Sequence, residues 1–345
     1  MRLAAAIVAA AALLCSVSAQ ADGASNIEVL DFHDLDGWEQ DDHTAALNAF
    51  LKTCRDLKDP DWAAICEVAK SKPAARPFFE AFFRPVSIED GNLSLVTGYF
   101  EPELNGSRRR VGRYTVPVYR KPPELTEGML WHDREEIETG EVLKGRGLEL
   151  AWVDDATALF YMQVQGSGRI RLTDGSVLRL GYAASNGHVF KSPGEMLVAA
   201  GVYNQHQVSA TVVGNWVRRN PQEGRRLLWS SPNYVFFREI RSGSLNDGPR
   251  GAMNRPLTTG RTLAVDPAFI DLGAPVWIEK GGDVTVRRLM VAQDTGSAIK
   301  GAQRADFFVG TGDEAGRVAQ RMRDPARLYV LLPIDRAYAL AAGSG

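Results

Sequence analysis

Apolar and polar positions along the chain change period several times, and the changes mark out its elements. Between His43 and Cys54 the apolar residues Leu47, Phe50 and Leu51 recur at helical spacing, and Asp59-Pro60 is a cap and first-turn pair for a second helix through Trp62, Ile65 and Cys66. Phe78, Phe79, Phe82 and Phe83 form one apolar stripe on a short third helix, a pattern that packs into a core. Period two then takes over. It predicts strands at 95–100, 114–119, 160–164, 169–172 and 177–180, the last two joined as a hairpin by Asp174-Gly175. Alternation through the 160–165 run would place Tyr161, Gln163 and Gln165 on one face and Phe160, Met162 and Val164 on the other. Such a polar face suits a hydroxyl-rich ligand and an ordinary solvated sheet equally well. Helical signals return with the capping box of Ser192 and Glu195, with Ser209 ahead of Val212, Val213, Trp216 and Val217, and with Pro221. Beyond Ser230 strands are predicted at 233–239, 257–266 and 275–279, with a helix over 316–322, a last strand over 328–333 and a frayed tail from 337 to 345. Short β runs between Gly/Pro turns indicate a mainly β fold with peripheral helices, a small barrel rather than a wound α/β sheet.

Composition narrows this further. The 345 residues are 45% apolar and 24% charged, enough for one large domain or two ordinary ones of a soluble globular protein. A formal charge of −2 gives no reason to expect nucleic acid as a partner. The five histidines are not spaced from one another or from a cysteine as metal ligands would be, so neither a metal nor another cofactor is expected. Residues 1–21 read as a secretory signal peptide: Arg2, an apolar run to Leu14, and small residues that allow cleavage after Ala19 or Ala21. The apolar run is too short for an integral membrane span. Cys15 is preceded by Leu14, where a lipid-attachment site would carry a small residue, which favours a soluble exported chain over a lipid-anchored one. After cleavage Cys54 and Cys66 remain, an even pair in an oxidising compartment and a predicted disulfide.

The chemistry concentrates between Val291 and Gly312. An apolar run ends at Asp294, a small-residue segment follows, and a second acid, Asp306, leads into Phe307, Phe308 and Val309. Gly296 and Gly301 argue against a helix, so the expected arrangement is a strand end, a tight connection and a second strand beginning at the acid. Two carboxylates then meet at one rim, as in glycosidic acid/base sites, although an Asp before Thr-Gly is also an ordinary turn former.

Five runs in order, from Phe82 to Pro333, resemble the membrane-bound lytic murein transglycosylase A family. They are Gly98-Tyr99-Phe100-Glu101-Pro102 with Leu104, Gly106 and Ser107; Gln163-Val164-Gln165-Gly166-Ser167-Gly168; Gly181-Tyr182 with Asn186-Gly187; Leu257 to Asp266 with Leu272-Gly273 and Pro275-Val276-Trp277; and Asp294 to Gly301 with Asp306. Ser297 stands where the family has a second glycine, and Arg304-Ala305 precedes Asp306 where some relatives have His-Phe. The resemblance implies a six-stranded double-psi β-barrel domain made of residues 22–102 and 228–336, interrupted by a small inserted β domain at 103–227 that forms the other wall of a glycan groove. It implies an exo-acting lytic transglycosylase that cuts between N-acetylmuramic acid and N-acetylglucosamine and leaves 1,6-anhydro ends. Asp306 would be the single acid/base, with Asp294 and Lys300 in support. Tyr99, Glu101, Tyr161, Gln163, Gln165, Ser167, Tyr182 and Asn186 would meet the glycan. The implied partner is the peptidoglycan strand, met by a monomer in the periplasm or at the periphery of the outer membrane, with room for contacts to cell-wall synthesis or turnover complexes. A non-catalytic peptidoglycan binder and a muramidase-type hydrolase are the two other readings of the same motifs.

Overall fold

The computed structural model describes residues 26–345 except 242, 245, 246, 297, 344 and 345. The leader 1–21 with its cleavage positions and Cys15, and the departure at Ser297, lie outside the described residues. The chain opens with strand β1 (Asn26–Val29) and helices α1 (His43–Cys54), α2 (Pro60–Lys70) and α3 (Ala75–Phe82). Asp42 caps α1 by accepting from the Ala45 amide, and Asp59 caps α2 just before Pro60, as the sequence predicts. Phe50, Trp62, Phe78, Phe79 and Phe83 pack together with no appreciable exposure, each contributing about 1.5–3 kcal/mol of burial. The Cys54–Cys66 disulfide joins α1 to α2 across a Cα–Cα distance of 5.4 Å.

Strands β2 (Phe83–Glu89) and β3 (Leu95–Glu101) follow, and Pro102 turns the chain into a second region. That region holds β4 (Glu103–Ser107), β5 (Val116–Tyr119), α4 (Arg134–Thr139), β6 (Glu149–Val153), α5 (Ala156–Gln165), β7 (Ser167–Leu172) and β8 (Val177–Ser185). Helices α6 (Pro193–Ala199), α7 (Ala210–Arg219) and α8 (Pro221–Trp229) and strand β9 (Val235–Glu239) complete it. The chain returns with β10 (Thr262–Val265), β11 (Pro275–Lys280), β12 (Val286–Asp294), β13 (Arg304–Thr311), α9 (Gly312–Ala319), β14 (Arg323–Asp324), β15 (Ala326–Pro333) and α10 (Ile334–Ala342).

Two mixed sheets result. One has nine strands in the order β1-β2-β15-β11-β12-β10-β13-β3-β14, and the other six in the order β5-β6-β4-β7-β8-β9. The first is sealed by the aromatic helices and by Val276, Trp277, Leu289 and Val330, while Val118, Ile170, Leu178 and Phe237 centre the core of the second. Gly98 lets α9 press against β3: a Cβ there would lie 2.9 Å from the Ala319 Cα.

Four expectations change. The 160–165 run is the end of helix α5, not a strand. Asp155 accepts from the amides of Thr157 and Ala158 to start the helix, and Gly166 (φ +74°) ends it, so capping outweighs a short alternation. Strand β9 pairs with β8, so the second sheet extends to Glu239, past the boundary expected at 227. The tail is not frayed over 337–342 but forms α10, with Ala337 buried against the first sheet. Finally, β12 and β13 are not neighbours, because β10 lies between them.

Candidate active site

The intervening strand creates the site. In register, Thr97 of β3 lies beside Asp306 of β13, Asp306 beside Ala264 of β10, and Ala264 beside Asp294 of β12. Residues opposite one another in a sheet point to the same face, so these four side chains form one row across it. The acids are two strand spacings apart, roughly 10 Å, and Ala264 puts only a buried methyl group between them. Asp294 is the last residue of its strand, as expected, whereas Asp306 sits two residues inside its own.

Hydrogen bonds distinguish the two acids. Thr97 donates to Asp306 Oδ1 at 2.9 Å, and Thr97 Oγ1 accepts in turn from Arg304 at 2.9 Å. Arg304 also donates to the carbonyls of Leu95 and Ala305. Burial pushes the Asp306 carboxyl up to about 6; the Thr97 hydrogen bond and the Arg304 charge oppose the rise, and the Asp294 charge adds to it. Asp294 accepts from the Tyr99 hydroxyl at 3.0 Å on one oxygen, and from the amides of Ala252 and Thr295 at 3.0 Å on the other. Burial raises its pKa too, against those bonds. Tyr99 is two residues beyond Thr97 on the same face, and its ring lies 5.2 Å from that of Phe308. Burial and then the Asp294 charge hold its phenol well above the ordinary range, so it remains a donor. The loop that supplies the Ala252 amide is tied to the disulfide-bearing helices by the bidentate pair Arg255–Asp56, both bonds 2.6 Å.

Other expected site residues are placed unevenly. Lys300 is exposed and lies 3.6 Å from Asp266, which also accepts from the Gly301 amide and so fixes the loop between the two acids. Gln165 accepts from the Phe100 amide at 3.3 Å, which docks α5 on β3. Ser167 begins β7 and is half-buried. Tyr161 is half-buried and lines a separate cavity. Tyr182 is exposed and donates to Glu127 at 2.9 Å.

Three residues leave the expected glycan surface. Gln163 is buried, with its amide accepting from Arg134 and donating to the Val235 carbonyl. Asn186 is fully buried and holds the carbonyls of His132 and Pro232 and the amide of Tyr234. Glu101 is 1% exposed, paired with Arg169 at 2.7 Å and bonded by Thr311 at 2.9 Å, at the point where the chain passes between the sheets. As for a metal, Asp31, His33 and Asp34 form a cluster that could hold an ion, but all three are exposed and belong to a single 3-10 turn.

Two family models match the chain, the MltA specific insert domain over residues 95–238 and the 3D domain over residues 261–332. A crystal structure of a membrane-bound lytic murein transglycosylase from Agrobacterium tumefaciens superposes with a TM-score of 0.80 at 33% identity, covering 91% of this chain and 99% of that one. The chain belongs to the MltA family. MltA from Neisseria gonorrhoeae gives a TM-score of 0.80 at 31% identity over 90% of this chain and 93% of that one. Escherichia coli MltA with bound chitohexaose gives 0.74 at 26%, over 89% and 94%. In sequence the chain is 34% identical over 251 residues to membrane-bound lytic murein transglycosylase A of Escherichia coli K12, covering 70% of this chain and 66% of that protein's length. The insert-domain match ends at 238, in agreement with β9 belonging to the second sheet.

The sequence did not single out Thr97, Ala264 and Asp266 as parts of this candidate site. Thr97 lies two residues before Tyr99, and Ala264 and Asp266 lie inside the Leu257–Asp266 run, but only strand register places the first two, and only the bond from the Gly301 amide places Asp266.

Proposed function

We propose that this chain is a peptidoglycan lytic transglycosylase, with Asp306 as its single acid/base. The reading rests on one observation: of the four acids in the matched runs, Asp306 is the one that burial pushes up to about 6 while, among the described residues, its side-chain partner is the Thr97 hydroxyl and no cation is bonded to it directly. Asp294 is occupied by three donors and Glu101 by Arg169 and Thr311, so neither is available to hold an attacking water. Protonated Asp306 gives its proton to the oxygen between N-acetylmuramic acid and N-acetylglucosamine as that bond breaks. As carboxylate it then takes the proton of the C6 hydroxyl, which closes on C1 of the same ring. An attacking group already held in that ring replaces a water-activating base. The Tyr99 hydroxyl, fixed on Asp294, orders the floor of the groove.

The finer architecture follows the same reading. We propose that the first sheet curls into a six-stranded double-psi barrel, supported by the parallel pairs β10·β12 and β13·β3 set among antiparallel ones. The inserted sheet would form the opposite wall, and the exported chain would act in the periplasm. Among the described residues no helix is long and apolar enough to cross a membrane.

Digestion of sacculi in ¹⁸O-labelled water tests the reaction. The expected products carry no label, are lighter by one water than the matching muramidase products, and resist borohydride. Labelled, reducible muramic ends as the main product would show hydrolysis instead. The pH profile tests the acid. Donation requires protonated Asp306, so the rate is expected to be level below pH 6 and to fall about tenfold per pH unit above it. Thr97→Val removes a bond that favours the charged form, so the falling limb moves to higher pH. Asp294→Asn removes a charge that disfavours it, so the limb moves lower. Unmoved limbs in pH–rate measurements on both variants would remove Asp306 from the role.

A further inference from the structure

The row that carries the two acids has one more member. Arg323 of β14 pairs in register with Thr97, on the side away from Asp306, so the row reads Arg323, Thr97, Asp306, Ala264, Asp294. Arg323 is exposed and has no ion pair among the described residues, unlike Arg304, whose guanidinium is used on Thr97 and two backbone carbonyls. Burial holds the Arg304 guanidinium below its ordinary range; the Asp306 charge opposes that shift and the Arg323 charge adds to it.

Arg323 also lines a cavity of about 240 Å³ whose other walls come from the inserted region. Tyr161, Ser192, Gln205 and Ser209 give it polar edges, and Glu195 is its acid. The Glu195 carboxylate is exposed and, among the described residues, has no ion pair either. Thr211 donates to Gln320 at 3.1 Å nearby, fastening α7 of the inserted region to the end of α9. A cavity with one unpaired cation and one unpaired anion, two strand spacings from the acid, matches a zwitterionic ligand rather than a neutral sugar.

We propose that this cavity binds the peptide stem attached to the muramic acid being cut, with a stem carboxylate on Arg323 and a stem amino group on Glu195. The proposal rests on the peptidoglycan reading above. A guanidinium presents a planar fork of donors that matches a carboxylate, and its loss exposes an unpaired charge on the ligand. It makes Arg323 and Glu195 specificity residues, outside the bond-breaking step.

Binding is measured on the full mature chain carrying Asp306→Asn, to prevent turnover. Three ligands are compared: soluble glycan strands with stems, strands stripped by an amidase so that only the lactyl carboxylate remains, and neutral chitohexaose. Arg323→Gln is expected to weaken binding of stem-bearing strands about tenfold, with changes below about twofold for the other two ligands. Arg323→Lys should recover part of the loss. Glu195→Gln should weaken binding of stem-bearing strands about threefold, and not at all once their amino groups are acetylated. Unchanged binding of stem-bearing strands by Arg323→Gln overturns the proposal. So does equal weakening for all three ligands, and so does a loss retained on stripped strands. Thermal melts of each variant check folding. If wild-type protein made labelled, reducible ends, the reaction above would fall while a stem-specific loss in Arg323→Gln would still stand.

Discussion

Asp306→Asn is expected to lower release of muropeptides from sacculi by at least about 10²–10⁴-fold, the usual worth of general acid catalysis. The true loss should lie toward the upper end, because one group serves as acid and then as base and no other carboxylate in the row is free to replace it. Asparagine keeps the acceptor for Thr97, so the pairing of β3 with β13 and the fold should survive. The chemical loss and the structural integrity can therefore be read separately, by mass spectrometry of released products and by thermal melting. Retention of more than a tenth of wild-type turnover would reject Asp306 as the acid/base.

Glu101→Ala should behave in the opposite way. Its carboxylate is buried against Arg169, which also donates to the Asp247 carbonyl, at the crossing between the two sheets. Removing one partner of a buried ion pair leaves the other charge without its counter-ion and typically costs about 3–5 kcal/mol. The expected result is a large fall in the denaturant midpoint, with the folded fraction still cutting sacculi at low temperature. Loss of turnover matching that of Asp306→Asn, in a variant of unchanged stability, would instead make Glu101 a base for water. An inverting hydrolase needs its second carboxylate about 6.5–9.5 Å from the first and free to hold that water. Glu101 is held by Arg169 and Thr311.

The resemblance gave Asp306 the acid/base role and Glu101 a place on the glycan, but the burial of Glu101 against Arg169 was not legible in the primary structure. Local signals were reliable where a short segment contains its own determinants. Asp42 and Asp59 cap α1 and α2, Ser192 and Ser209 cap α6 and α7, and Asp174-Gly175 turns β7 into β8. They failed where two local rules competed. The alternation of 160–165 pointed to a strand, while Asp155 and Gly166 bounded a helix, and the helix turned Gln163 inward to Arg134.

By itself the sequence determined the secondary structure of most of the chain, the disulfide partners and the two acids of the Asp294–Asp306 stretch. It also determined the order of motifs that places the chain in its family. Those properties depend on neighbours within a few residues or on residue identity alone. Only the tertiary structure decided that β10 lies between the two acid-bearing strands, that Thr97 and Tyr99 serve one acid each, and that Asn186 and Gln163 hold the inserted region together. It also put Arg323 at the end of the row that holds the two acids. The physical reason is register. A slip of one residue in any strand would turn its side chains to the other face, and which register wins is set by burial on both sides of a sheet assembled from distant parts of the chain.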